Sequence, residues 1–266
     1  MVVSHLACTG VFYQPNSKVY YDITSGEVEY EAGVLTTSDQ ERLSYWNIAP
    51  ETKEKGTILH FHGNAQNMTA HFLFVVWLIE AGYRVIVFDY RGYGASTGSP
   101  DQEGTIIDGT RMIEFACDKA KTPLFVVGQS LGGAIATPSL VKSKDSCICG
   151  LVLESTFDSY RDLARDLLGS FWLTWAFQIP LSWLISDEYA PYKYLKDISL
   201  PSLVVHGQKD PVVPIRFGHR VFDQLGSTKK EFILDEDGGH TSGFVPGSPI
   251  RDRLVQFLNK TGHQCR

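Results

Sequence analysis

The stretch Leu124-Phe125-Val126-Val127-Gly128-Gln129-Ser130-Leu131-Gly132-Gly133-Ala134 decides the fold. Its first four residues are apolar and read as a buried strand, and a helical pattern begins at Ala134. Between them a serine sits in the pattern G-x-S-x-G, in the context of strand, tight turn and helix. A serine on so sharp a turn projects its hydroxyl away from the backbone, and the turn closes only if Gly128 and Gly132 carry no side chain. The helix that follows would aim its first N–H groups at negative charge developing beside that hydroxyl.

Working outward, residues 27–36 and 42–48 are two β-rich runs around the polar turn Ser38-Asp39-Gln40, which predicts an antiparallel hairpin. Strands are expected over 57–61, 84–88, 150–154, 202–206 and 230–234, and helices over 72–81, 104–116, 215–225 and 250–259. This alternation implies an α/β fold, a mostly parallel sheet with helices on both faces. In such sheets the active residues lie at the carboxyl ends of the strands. In the loop after residue 88, Asp89 and Arg91 are expected to pair and brace their neighbours.

The chain of 266 residues is long enough for one large domain, here taken as 1–266 with a helical insertion at about 157–197. Within that insertion, residues 167–186 carry no charge and include Trp172, Trp175, Phe177 and Trp183. The length suggests a membrane span, but Pro180 and the polar residues Ser170, Thr174 and Gln178 argue against one. The expectation is a short helical lid whose aromatics form an acyl-binding wall and which is apolar enough to touch a membrane surface.

A formal net charge of −6 and the lack of any basic cluster argue against nucleic acid as a partner. The five cysteines are odd in number and scattered, so they are read as thiols and not as a disulfide framework. Cys147 and Cys149 have no second ligand pair at metal-binding spacing, and neither a metal nor a cofactor is expected. Residues 1–12 lack a basic start and a long apolar run, which favours a cytoplasmic protein unless an export signal has been removed.

A serine hydroxyl needs a base, and the base needs a group to orient it. Asp210 follows the predicted strand 202–206, and His240 follows the strand 230–234 after Gly238 and Gly239. Asp158, behind the strand 150–154, is the second candidate acid. Among the other histidines, His60 and His206 fall in or at the end of buried strands, and His71 and His219 in helical segments. His62 adjoins the sharp exit at Gly63.

Taken together, His62-Gly63-Asn64, Asp89-Tyr90-Arg91-Gly92-Tyr93-Gly94, Gly128-Gln129-Ser130-Leu131-Gly132, His206-Gly207-Gln208-Lys209-Asp210-Pro211 and Gly239-His240 resemble the α/β-hydrolase superfamily, in particular its Bem46-like serine hydrolases. The resemblance implies Ser130 as nucleophile, Asp210 as acid and His240 as base, in the order Ser…Asp…His. It implies backbone N–H groups of Asn64 and Leu131 as the oxyanion hole. The activity implied is cleavage of an ester or thioester of a small or acyl-chain substrate. A peptidase or amidase with the same triad, and a non-catalytic binding protein on the same fold, are the alternatives.

Overall fold

A computed structural model describes residues 9–25, 29–143, 147–170 and 173–265. Eight strands form one sheet: β1 (Tyr30–Thr36), β2 (Arg42–Ile48), β3 (Gly56–Phe61), β4 (Tyr83–Phe88), β5 (Leu124–Gln129), β6 (Ile148–Glu154), β7 (Ser202–Gly207) and β8 (Lys230–Asp235). The spatial order is β1-β2-β4-β3-β5-β6-β7-β8. β1 and β2 pair antiparallel as a hairpin, β2 joins β4 antiparallel, and every pairing from β4 to β8 is parallel.

The helices are α1 (Met68–His71), α2 (Trp77–Glu80), α3 (Gln102–Lys119), α4 (Leu131–Ser143), α5 (Tyr160–Ser170), α6 (Gln178–Ser182), α7 (Ile215–Gln224) and α8 (Ile250–Gln264). Alternate residues of the strands feed opposite faces of the sheet. Leu59, Phe61, Val126 and Leu151 meet Met112, Ile113, Ile135 and Phe217 on one side. Ile58, Val85, Val127 and Val152 meet Leu78, Leu254, Phe257 and Leu258 on the other. The inner strands β3 to β7 are therefore buried on both faces, which is why they read as nearly continuous apolar runs, whereas the edge strands β1 and β8 are largely exposed or half-buried.

The segment expected as one helix over 72–81 is broken. Asn67 caps α1 by accepting from the Thr69 N–H, a 3-10 turn follows at Phe72–Phe74, and α2 starts afresh. The Trp77 indole N–H takes the carbonyl of Phe74 at 2.8 Å, which removes an acceptor that a continuous helix would have used.

The cysteine expectation is corrected. Cys117, at the end of α3, is bonded to Cys147, and Cys149 in β6 is bonded to Cys265 after α8, with Cα separations of 5.8 and 5.6 Å. The partners lie 30 and 116 residues apart, and only the packing of α3 and α8 beside the start of β6 brings them together. Cys8 lies outside the described residues.

The Asp89–Arg91 expectation is also corrected. Arg91 instead forks onto Asp108 (Nη2 to Oδ1, 2.8 Å) and Asp39 (Nη1 to Oδ2, 2.8 Å). Asp89 accepts from the Met68 N–H at 2.6 Å, tying the loop after β4 to α1. The connection from β6 to β7 runs through α5 and α6, and no helix among the described residues is long and apolar enough to cross a membrane.

Candidate active site

Ser130 occupies the corner between β5 and α4 with φ of +51°, a left-handed conformation that costs a non-glycine residue energy. Its neighbours hold it there. The Ser130 N–H donates to the Glu154 carbonyl at 2.8 Å, and the Thr156 hydroxyl donates to the Ser130 carbonyl at 2.7 Å. A Cβ on Gly128 would lie 2.7 Å from the Gly133 Cα, and one on Gly132 would collide with the Phe61 carbonyl oxygen. Both glycines are required by close approach of backbone.

Asp210 follows β7 and His240 follows β8, so their loops converge on Ser130 from the carboxyl edge of the sheet. His240 Nδ1 lies 2.8 Å from Asp210 Oδ2, and His240 Nε2 lies 3.0 Å from Ser130 Oγ. The other carboxylate oxygen of Asp210 accepts the N–H groups of Val212 and Val213, each at 2.8 Å. Burial opposes ionisation of Asp210, but the hydrogen bonds from His240 and the two backbone groups outweigh it and hold its pKa below the usual value. The left-handed residue of the histidine loop is Thr241, with φ of +53°, and not either of the preceding glycines.

Asn64 and Leu131 line the same cavity as Ser130. The loop carrying Asn64 is fixed from several sides. Tyr90 donates to the His62 carbonyl at 3.0 Å, His62 Nδ1 contacts the Gly63 carbonyl at 2.8 Å, and His71 Nε2 reaches the Ala65 carbonyl at 3.2 Å. Burial pushes the basicity of His62 and His71 down, so both serve as neutral braces. Asp158 points elsewhere and accepts from Arg220 Nε and Gln224 Nε2 at 2.9 and 2.8 Å. His206 directs Nε2 to the Val213 carbonyl at 2.8 Å, and His60 meets Gln129 at 2.8 Å.

The cavity above Ser130 has a volume of about 670 Å³ and is lined mainly by aliphatic side chains, among them Leu163, Leu167 and Leu168 of α5, Leu181, Leu184, Ile185 and Val213. The aromatic wall expected from sequence is corrected here. Trp175, Phe177 and Trp183 do not line it, and they are 63%, 59% and 73% exposed; Trp172 lies outside the described residues. The inward face is the amphipathic stripe of α5, spaced at helical period. That spacing was the available signal, and aromatic content misdirected the expectation.

Glu154 is a participant the sequence reading passed over. It ends β6 fully buried, accepting the Gly243 N–H on Oε1 at 2.7 Å and the Gln129 side-chain amide on Oε2 at 2.5 Å. It thus ties the residue before Ser130 to the loop just after His240. Burial raises its carboxyl to about 7 against hydrogen bonds that lower it. An acidic residue closing an otherwise apolar strand was the signal. No group of three or more His, Cys, Asp or Glu side chains among the described residues is placed to hold a metal ion.

Eight strands in this order, with a serine corner after β5, an acid after β7 and a histidine after β8, define an α/β hydrolase. A family model described as serine aminopeptidase S33 matches residues 52–197, more than half of the chain. Bem46 of Schizosaccharomyces pombe is 36% identical over 215 residues, covering 77% of this chain and 69% of its own. The chain belongs to this hydrolase family, as a Bem46-like member. The lysophosphatidylserine lipase ABHD12 of Mus musculus is 27% identical, covering 90% of this chain and 65% of its own. Among solved structures, the esterase Pf2001 of Pyrococcus furiosus matches with a TM-score of 0.74 at 24% identity, covering 94% of this chain and 98% of its own.

Proposed function

We propose that the protein is a serine esterase that cleaves carboxylic esters or thioesters of an acyl chain through a covalent acyl-enzyme. The observation that carries this reading is the hydrogen-bonded series Asp210–His240–Ser130 opening directly into an aliphatic cavity. His240 Nε2 removes the Ser130 proton as Oγ attacks the acyl carbonyl, and the N–H groups of Leu131 and Asn64 receive the oxyanion. His240 then passes that proton to the departing alkoxide or thiolate. In the second half it takes a proton from water, whose oxygen attacks the acyl-enzyme, and returns it to Ser130 as the acid leaves. Asp210 holds the imidazole tautomer and stabilises its cation.

The lipid ester named for ABHD12 supports an acyl substrate, whereas the family description supports the peptidase alternative. An aminopeptidase must bind an α-ammonium group, and burying that charge requires a carboxylate partner. Among the described residues, those lining the cavity include no Asp or Glu, so the ester reading is preferred. The two disulfides favour work in an oxidising compartment over the cytoplasm.

The test is hydrolysis of p-nitrophenyl esters from acetate to palmitate by the wild type and Ser130→Ala, with fluorophosphonate labelling alongside. Turnover and labelling that vanish in the variant are expected. A wild type that is inert to every ester and to the probe would move the protein to the non-catalytic binding reading.

A further inference from the structure

The cavity has a wall built by the N-terminal segment, outside the residues that the family model matches. Val11, Phe12 and Gln14 line it beside Ser130 and Leu131. Phe12 is buried, its ring edge-on to Tyr160 at 5.2 Å and tilted against Phe157 at 6.0 Å, so it closes the space between the segment and the β6–β7 connection. The segment is fastened by its backbone. The Gln14 N–H donates to Asn64 Oδ1 at 2.9 Å, and the Gly94 N–H donates to the Asn16 carbonyl at 3.0 Å. Asn67 Nδ2 donates to the carbonyls of Asn16 and Lys18 at 3.0 and 2.8 Å. These anchors join the segment to the loops after β3 and β4, which flank the serine corner.

We propose that this strap is the acyl-selecting wall of the site, with Phe12 and Val11 as the residues that determine which chain length is accepted. The inference depends on the acyl-ester reading above and adds the selecting residues to it. The serine corner, α5, α6 and the 212–213 turn close the other sides of the cavity. Without the strap, one side of a bound chain would face water. Each methylene kept dry is worth about fourfold in binding, so the wall acts on long chains and hardly on an acetyl group. Gln14 adds a second link, because the strap grips the side chain of Asn64, whose backbone N–H is the proposed oxyanion donor. Chain selection and the reacting carbonyl thus share one support.

The full chain carrying Phe12→Ala, and separately Val11→Asn, tests this. Val11 is 62% exposed, so its replacement leaves folding intact and decides the question should Phe12→Ala fail to fold. The readout is the ratio of kcat/KM for p-nitrophenyl laurate to that for the acetate. Its partner is binding of the fluorescent fatty acid cis-parinarate to the same variants in a Ser130→Ala background. The expected result is a fall of about tenfold in the ratio for Phe12→Ala and about threefold for Val11→Asn, with parinarate weakened in parallel. Ratios unchanged in both variants, or laurate and acetate falling together, overturn the wall. If the wild type cleaves no ester yet Phe12→Ala loses parinarate, the wall stands and the esterase reading falls. Absence of parinarate binding to Ser130→Ala itself removes the wall.

Discussion

Beneath Ser130 the polar side chains reach across the sequence for their partners, whereas in the 170–182 stretch above it they bond nearby carbonyls. Glu154 bonds residues 25 and 89 positions away, and His240 bonds residues 30 and 110 away. In the connection over the cavity, Ser170, Thr174, Gln178 and Ser182 each bond a carbonyl within six residues, while Trp175, Phe177 and Trp183 face outward. The floor is thus specified by long-range geometry, and the 170–182 stretch of the roof by local bonds plus generic apolar burial, while the ends of the roof are tied at a distance, α5 to α7 by Asp162–Arg220 and Ser186 to Gln102. A floor of this kind tolerates almost no change of residue type. Such a roof tolerates any substitution that preserves its inward stripe.

The strongest way to break the contrast is on the floor itself. Ser130→Ala is expected to lower ester turnover about 10⁴-fold or more, and Asp210→Asn by about 10⁴-fold, measured as kcat under saturating substrate. Activity within tenfold of wild type in either variant would remove the floor's claim to the chemistry.

Reduction of both disulfides probes the foundation of that floor. Each bridge is worth about 3 kcal/mol, so a reductant is expected to lower Tm by about 10 °C or more. Thermal melts with and without dithiothreitol, next to a thiol titration of the unfolded chain, check this. Four extra thiols released by the reductant are the expected count.

Glu154→Gln gives a finer cut. Both partners of the carboxylate are donors, so the amide of glutamine must turn its own N–H₂ toward one of them and orphan it. The expected cost is about 1–3 kcal/mol, seen as a kcat some tenfold or more lower with KM little changed. The variant also carries a pH signature. The Glu154 carboxyl is raised by burial from an ordinary 4.5 to about 7. Its contribution to stability is therefore full below pH 4.5 and lost as pH rises through about 7. Tm measured between those limits should fall less steeply in the variant. An identical slope would mean that Glu154 does not titrate there.

On the roof, Trp183→Ser and Trp175→Ser are expected to change stability by less than about 0.5 kcal/mol and leave the ester chain-length profile as it was. Leu163→Ala, on the inward stripe of the same connection, is expected to cost about 2–4 kcal/mol. If the tryptophan variants shift the profile more than Leu163→Ala does, the assignment of inward and outward faces is wrong.

The same contrast explains what could be read in advance. A turn that holds a serine at φ +51° leaves no choice at Gly128 and Gly132, so steric necessity writes itself into residue types. Asp210 and His240 were legible because each follows an apolar strand at a fixed edge. The inward face of the roof was legible only through the helical spacing of Leu163, Leu167 and Leu168, and the tryptophans, equally apolar in a linear reading, masked it. Arg91 was likewise assigned the wrong carboxylate. Its partners Asp39 and Asp108 come from the turn after β1 and from α3, which no local pattern links. The cysteine pairs were hidden for the same reason.

Strand β6 carries a consequence of its own. Its first residues are adjoined by both disulfides, and its last, Glu154, with Ser155 just beyond it, holds the backbone of Gly243 and Thr241 in the histidine loop. Fluctuations that detach this strand must carry α3, α8 and the histidine loop along, so its amide protons should exchange with deuterium only through global opening. The amides of α6, with local bonds and the exposed aromatics Phe177 and Trp183 on either side, should exchange orders of magnitude sooner. A catalytic framework that stays shut while its cover breathes would let substrates be exchanged without the reacting groups ever losing alignment.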